Sequence, residues 1–427
     1  MRGRAAVAGS LLVAAVLTAR PGDAQAVSQR GFAELDGVFF AQNALNDTTR
    51  AVADVVAREE VFLTLAPWLR LAAGADLRAN SHDQVENDWR VDWSDRGGRR
   101  PRLSIRRASA TITRGRFTVD VGKQFIRWGK ADIVNPTDRF APRDFLNVIK
   151  SEFLAVTGVR AVVRVSEQDV FEGVWLPQMT PSRVPLLNQR WTVLPPEASE
   201  VEIVDRGAVL PGGSQTGVRW SRVGARVEYS VSFFNGADTL PNIDARVRSG
   251  PAAEGGSVPR AFVPEVDVQR VYPPLRSYGA DAALPTKWFT IKGEMAYFTS
   301  SSSSADQYVL YVIQLERQTG EWLLVGGYAG EVVTDHRATL TFAPDRGITK
   351  SIVGRASYTI DPNRSLTFET VVRQNAAGAY VKAEYSQAYG EHWRATIGSA
   401  LARGEPDDFL GQYRRNSHVS LALRYSF

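Results

Sequence analysis

The sequence predicts an all-β protein: a transmembrane, antiparallel, up-and-down β-barrel of about 18 strands. Three observations carry this. Segments of apolar–polar alternation recur along most of the chain. Their connections alternate between short and long. The last segment, from Ser417 to Phe427, is itself such a strand and ends on an aromatic residue. A strand with lipid on one side and water on the other reads with period two, and barrels join such strands by short turns at one end and long loops at the other.

The alternation can be followed residue by residue. Val227, Tyr229, Val231 and Phe233 share a face against Arg226, Glu228, Ser230 and Ser232. Ile291, Gly293, Met295 and Tyr297 oppose Lys292, Glu294 and Ala296. Leu366, Phe368 and Val372 oppose Thr367, Glu369 and Arg373, and Val381, Ala383 and Tyr385 oppose Lys382, Glu384 and Ser386. Val159, Ala161, Val163 and Val165 oppose Arg160 and Arg164. Val162 and Lys123 fall on the wrong face, which points to bulges or strand ends. In the last strand Val419, Leu421, Leu423, Tyr425 and Phe427 oppose His418, Ser420, Ala422, Arg424 and Ser426.

Candidate strands fall near 31–42, 58–66, 69–78, 99–113, 116–128, 156–166, 169–178, 214–222, 225–235, 276–284, 287–300, 306–317, 321–334, 348–360, 364–374, 378–387, 392–402 and 416–427. Pro67 decides whether 58–78 is one strand or two. Two give an even count, which puts both termini at one end; 16 strands is the alternative. Short connections occur near Arg114-Gly115, Ser166-Glu167-Gln168, Val223-Gly224, Asp361-Pro362-Asn363 and Tyr389-Gly390-Glu391. Long ones cover roughly 79–98, 130–155, 179–213, 236–275 and 403–415, and 236–275 has no steady periodicity. The short side is expected to face the periplasm.

Residues 1–26 read as a signal peptide. Arg2 and Arg4 precede an apolar stretch, Ala5 to Ala19, and Ala24-Gln25-Ala26 is an A-x-A cleavage site. The stretch is shorter than the ~20 residues a spanning helix needs. Residues 27–427 are then expected to form a single barrel domain. The chain has no cysteine, which excludes lipoprotein attachment and disulfides. A mean hydropathy of −0.21 suits a barrel, because only alternate strand residues meet lipid. Ten Trp and 13 Tyr suit aromatic girdles.

Two resemblances add to this. The ending resembles that of Gram-negative outer-membrane barrels. That implies a last strand that closes the barrel, with Tyr425 and Phe427 part of the signal read by the barrel-assembly machinery. It also implies outer-membrane lipid and lipopolysaccharide as surroundings. Gly122 to Phe145 reads G-K-Q-F-I-R-W-G-K-A-D-I-V-N-P-T-D-R-F-A-P-R-D-F. Its Gly122, Arg127, Trp128, Gly129, Asp132, Asn135, Pro136, Asp138, Pro142 and Asp144 resemble a barrel family of unknown function, close in architecture to porin and alginate-export-type channels. This implies a porin-like fold more than any one substrate.

The same stretch has a physical reading. Trp128 is expected to end a strand at interfacial height, with a turn at Gly129. Asn135-Pro136 and Ala141-Pro142 set tight turns. Arg127, Lys130, Arg139 and Arg143 alternate with Asp132, Asp138 and Asp144, which suits a self-paired loop. Such a loop either folds into the barrel and narrows it or packs on the wall for stability alone. The seven charged residues are the candidate pore constriction.

The polar faces carry Arg160, Arg164, Arg219, Arg226, Lys292, Arg355, Arg373, Lys382, Arg394 and Arg424 as candidate lumen-lining bases. The acids there are Asp120, Glu228, Glu294, Glu369 and Glu384. An excess of base lowers the cost of admitting anions. The alternative is that these groups pair across strands and stiffen the wall. The pI near 9.4 comes from scattered charges, so nucleic acid is not an expected partner.

Motifs for catalysis, metal or cofactor binding are absent. His418 lies two positions from Ser420, but residues i and i+2 are ~6.5–7 Å apart along a strand, so hydrogen-bond contact is not assured. The Asp-rich stretches Asp83–Asp95 and Asp407-Asp408 read as solvated loops. The expected function is a porin-like passive channel for small hydrophilic, anion-leaning solutes. The alternative is a non-transport barrel that serves as a surface or assembly scaffold. An enzyme is not expected. Neither is a plugged, energy-coupled transporter, because the first strand follows the leader directly.

Overall fold

The structure, a computed structural model, describes residues 26–194, 201–248, 265–337 and 341–427. The expected signal peptide, apart from Ala26, lies outside the described residues. Eighteen strands form one closed antiparallel barrel. In chain order they are β1 (Ala26–Phe40), β2 (Ala51–Ala66), β3 (Leu69–Asn80), β4 (Leu103–Arg114), β5 (Phe117–Gln124) and β6 (Val156–Arg164). Then come β7 (Asp169–Leu176), β8 (Gln215–Val223), β9 (Glu228–Ala237), β10 (Pro274–Pro285), β11 (Thr290–Thr299) and β12 (Gln307–Thr319). The circuit ends with β13 (Trp322–Asp335), β14 (Ser351–Asp361), β15 (Arg364–Arg373), β16 (Gly378–Tyr389), β17 (Trp393–Gly404) and β18 (His418–Ser426).

Each strand pairs with its chain neighbours, and β18 closes on β1 from Phe32↔Ser426 to Phe40↔His418. Gly31 and Phe427 then exchange backbone hydrogen bonds at 3.0 Å. Closure leaves no sheet edge to pair with another chain. Leu35, Phe39, Val419, Leu421 and Leu423 point outward and are exposed, as an apolar belt requires. Trp68, Trp288, Trp322 and Trp393 are exposed beside the short turns, where amphipathic rings suit a membrane interface.

Pro67 does split two strands, β2 and β3, with a register shift between Thr64 and Ala66. Lys123 lies one residue from the end of β5. It is covered by loop 81–102, where it meets Asp95 at 2.5 Å. Val162 lies in an unbroken ladder opposite Thr118 and Glu172, so no bulge marks it.

Several bounds differ from the sequence expectation. β1 begins at Ala26 and β2 at Ala51, earlier than expected, while β4 begins only at Leu103. The long loops are not structureless. Glu202–Val209, Asn242–Arg248 and Glu265–Val271 form a separate three-stranded sheet, with the last strand in the middle. Loop 336–350 is also long and holds a short helix, α1 (Pro344–Gly347).

Candidate functional site: the lumen and the loop inside it

Beyond Gln124 the chain turns into the barrel. Asp138 sets the turn. Its carboxylate accepts the N–H of Trp128 at 2.5 Å and of Gly129 at 2.7 Å, and pairs with Arg127 at 3.2 Å. A side chain at Gly129 would meet Asn135 at 2.7 Å, so the approach needs glycine. The Trp128 ring lies 5.0 Å from Phe140, which lies 5.1 Å from Phe234 of β9. Its Nε1 donates to Glu172 at 2.6 Å. Trp128 is therefore not an interfacial residue closing a strand. It is buried in the lumen because Val156, Val174, Leu176 and Phe234 face inward there and offer an apolar seat.

Glu294, on the inward face of β11, holds the loop by its backbone. One carboxylate oxygen accepts the N–H of Lys130 at 2.9 Å and of Ala131 at 3.0 Å. The other accepts the N–H of Thr137 at 2.9 Å and its hydroxyl at 2.8 Å. Gln314 of β12 accepts the N–H of Asp132 at 2.9 Å and donates to its carboxylate at 2.5 Å.

Side-chain charges tie the loop to the wall on other sides. Lys130 pairs with Glu228 at 2.7 Å and Asp281 at 3.3 Å, and Asp132 with Lys292 at 3.2 Å. Asp144 takes Arg100 at 2.8 Å and Arg183 at 3.2 Å. Glu152 takes Arg78 at 2.8 Å and Arg58 at 3.2 Å, and Lys150 pairs with Asp36. The self-paired loop expected from the charge alternation is thus corrected. Among the described residues, Arg127–Asp138 is its one internal ion pair; Lys130, Asp132, Asp144, Lys150 and Glu152 find their countercharges outside the loop.

These partners tune the loop acids. Burial pushes the Glu152 carboxyl up, but the guanidiniums of Arg78, Arg58 and Arg106 outweigh it and hold its pKa far below the ordinary range. Burial likewise opposes Arg100 and Arg183 at Asp144, and the cations win. At Asp132 burial is outweighed by hydrogen bonds from Gln314 and Lys292.

Arg139 turns onto the Phe298 ring of β11, 4.8 Å from its centre. Arg127 and Arg143 share the Phe153 ring, at 4.1 and 4.3 Å. The same two-to-one arrangement recurs on the wall. Arg58 and Arg424 flank Phe32 at 5.2 and 4.1 Å, and Arg106 and Arg107 flank Phe125 at 4.7 and 5.3 Å. A ring face attracts a guanidinium and fixes its orientation.

Of the candidate wall bases, Arg160 pairs with Glu172 at 2.8 Å and Arg219 with Asp281 at 3.0 Å. Lys292 meets Glu316 at 2.6 Å, Arg355 meets Glu369 at 3.6 Å, and Lys382 meets Glu384 at 3.0 Å. Arg373 is drawn to the loop end of its strand by Asp408 at 2.9 Å. Arg394 donates to Ser386 at 3.1 Å, Arg424 pairs with Glu34 at 2.6 Å, and Arg164 ends β6 exposed. Arg226 is corrected: it lies in the turn closed by Gly224 N–H to Val227 O, because β9 starts only at Glu228. His418 packs on Phe40 and Trp191, with centroids 5.3 and 6.4 Å away. Among the described residues no acid or histidine cluster fits a metal ion.

The register adds inward bases that the sequence pass did not assign: Arg30, Arg58, Arg70 and Arg78, with Arg106 and Arg107 beside a bulge. It adds more acids: Glu34, Asp36, Asp54, Glu60, Asp76, Glu172, Asp281, Glu316 and Glu331. The basic excess by count therefore shrinks to near balance. Exposure divides the pairs into two kinds. In Arg30–Glu60 the side chains are 68% and 8% exposed, in Arg127–Asp138 45% and 4%, and in Arg424–Glu34 41% and 13%. At these three the guanidinium faces open space, whereas at Lys130–Glu228, Lys292–Asp132 and Arg78–Glu152 the carboxylate is the more exposed partner, 43%, 49% and 40% against 18%, 21% and 11%.

No family model and no curated protein matches this chain. Solved structures do. It is similar to OccAB4 of Acinetobacter baumannii, with TM-score 0.53 and 9% identity over 94% of this chain and 98% of that one. It is similar to OpdQ of Pseudomonas aeruginosa, with TM-score 0.54 and 8% identity over 95% and 99%. A BenF-like porin from Pseudomonas fluorescens Pf-5 gives TM-score 0.54 and 8% identity over 95% and 98%. At such identities the likeness establishes the fold.

Proposed function

We propose that this protein is a passive outer-membrane channel for small hydrophilic solutes, with loop 125–155 as its constriction and a mild preference for anions. The porin fold supports the channel class, since about 18 strands enclose more space than wall side chains fill. The contacts of the loop with opposite parts of the wall support the constriction. The observation that carries the anion preference is the exposure asymmetry at Arg30, Arg127 and Arg424. A passing ion meets the exposed charge first, and a buried countercharge at greater distance cancels it only in part.

On this reading residues 1–26 are removed on export and the short turns face the periplasm. Lipopolysaccharide surrounds the loop end. The β18 ending, Tyr425 with Phe427, is recognised by the assembly machinery.

The test is the reversal potential in a salt gradient across a planar bilayer, for wild type and for Arg127→Glu with Arg143→Glu. Wild type is expected to favour anions mildly and the double variant to favour cations. Equal reversal potentials in open channels would remove the loop from the constriction. Absence of conductance in both would favour a scaffold barrel.

A further inference from the structure

A cavity of about 780 Å³ lies among the long loops, outside the charged lumen. One part of its wall is the small three-stranded sheet. Ile203, Ile243, Val266 and Val268 line the cavity from one face of that sheet. The neighbouring positions carry Arg246, Arg248, Glu265 and Asp267, where Arg248 meets Asp267 at 3.3 Å. The sheet is thus amphipathic, and its apolar face is turned to the cavity. Trp191, Phe342, Phe409 and Tyr413 supply the aromatic part of the wall. The Phe342 ring lies 5.7 Å from Phe145 of the inner loop, which sets the cavity against the lumen's outer mouth.

The charges on this wall select no ion. Arg270 is paired with Asp205 at 2.9 Å, and Arg346 with Asp306 at 2.9 Å and with Glu331. His336 stands 3.0 Å from Asp306. A ligand would therefore be held by its apolar body, through area removed from water and ring contacts. The volume is that of ordinary small-molecule pockets, ~300–1,000 Å³, which are apolar and aromatic with few polar groups.

We propose that this cavity binds an uncharged, ring-bearing organic molecule. Its action as a vestibule that collects such molecules before the lumen rests on the proposed channel; the binding itself does not.

The probe is 2-naphthol, uncharged near neutral pH, added to protein in liposomes. The readout is Trp191 fluorescence, taken as the difference between wild type and Trp191→Phe. Saturable quenching is expected. Val268→Arg places a charge on the apolar face and Ala245→Trp fills the space. Each should raise the half-saturating concentration by ~10-fold or more, since burying an unpaired charge or removing the space costs well over the ~1.4 kcal/mol that a tenfold change represents. Retained heat-modifiable gel mobility shows that the variants fold. Non-saturable quenching in wild type, or unchanged half-saturation in a folded variant, overturns the proposal. Saturable binding in a protein without conductance would keep the site and reject the channel.

Discussion

The two sides of the lumen are built on different rules. From β6 to β13 the inward face carries an apolar patch, Val156, Val174, Leu176, Phe234, Leu275, Phe298 and Leu310, buried under the inner loop beside paired charges such as Arg160–Glu172 and Arg219–Asp281. From β14 round to β4 the inward face carries ion pairs, and Arg355, Lys382, Arg424 and Arg30 keep partial or full exposure. That patch behaves like the core of a soluble protein. The second side behaves like a wetted wall. The difference teaches that inward does not mean polar in a barrel: a wall is polar only where water, rather than chain, stands against it.

The largest expected effect comes from cutting the clasp between the two. Glu294→Ala removes four hydrogen bonds that the loop makes to one carboxylate. Bonds to a charged acceptor are worth ~1.5–3 kcal/mol each, so the 130–137 segment should come away from the wall. Single-channel conductance should rise severalfold, with added current noise, while Glu294→Gln should restore part of the wild-type value. Unchanged conductance would mean that the loop is held without the clasp.

A smaller effect should separate the two sides by stability. Phe140→Ala empties the space between Trp128 and Phe234 and should cost ~3–5 kcal/mol, read as a fall in thermal unfolding temperature. Lys382→Ala on the wetted side should move that temperature little. Equal losses would erase the distinction between core and wall.

Acid should leave the loop's own carboxylate ties unchanged over most of its range. Asp132, Asp144 and Glu152 have folded pKa values below their unfolded ones. Their hold on the loop is therefore complete above the unfolded values, ~4, and is lost only as pH falls through the lower folded values. With the clasp made non-titrating by Glu294→Gln, conductance should be flat from pH 7 to ~4 and rise only in stronger acid. A rise already at pH 5 to 6 would point to a different set of groups.

The smallest effect is expected at Arg226, which lies in a turn outside the lumen wall. Arg226→Glu should shift the reversal potential far less than the Arg127 and Arg143 exchange. A comparable shift would extend the selective region to the rim that carries the short turns.

Much of the fold was legible because alternation is a local signal. The outward faces of β11, β15, β16 and β18 match those read from the sequence residue by residue, and that of β9 does from Tyr229 onward. The candidate site was less legible, for a physical reason. Charge alternation in 127–144 pointed to partners within the loop, while Asp132 meets Lys292 160 residues away and Asp144 meets Arg100 and Arg183 44 and 39 residues away. The inward apolar residues offered a signal that alternation alone overlooks. Val156, Val162, Val174 and Leu176 break the polar face in consecutive strands, and such a run marks where something packs. The exposure of each arginine relative to its acid depends on depth, which spacing along the chain does not encode.

Glu294 grips main chain, not side chains, at Lys130 and Ala131, and at Thr137 it adds one hydroxyl to the backbone contact. The hold on the loop is thus largely indifferent to what the loop displays. Positions 130 and 131 can exchange charge, size or polarity and still hang from the same carboxylate. A lineage carrying this clasp would be free to change what passes through the barrel by altering a few exposed letters, without having to reinvent where the gatepost stands.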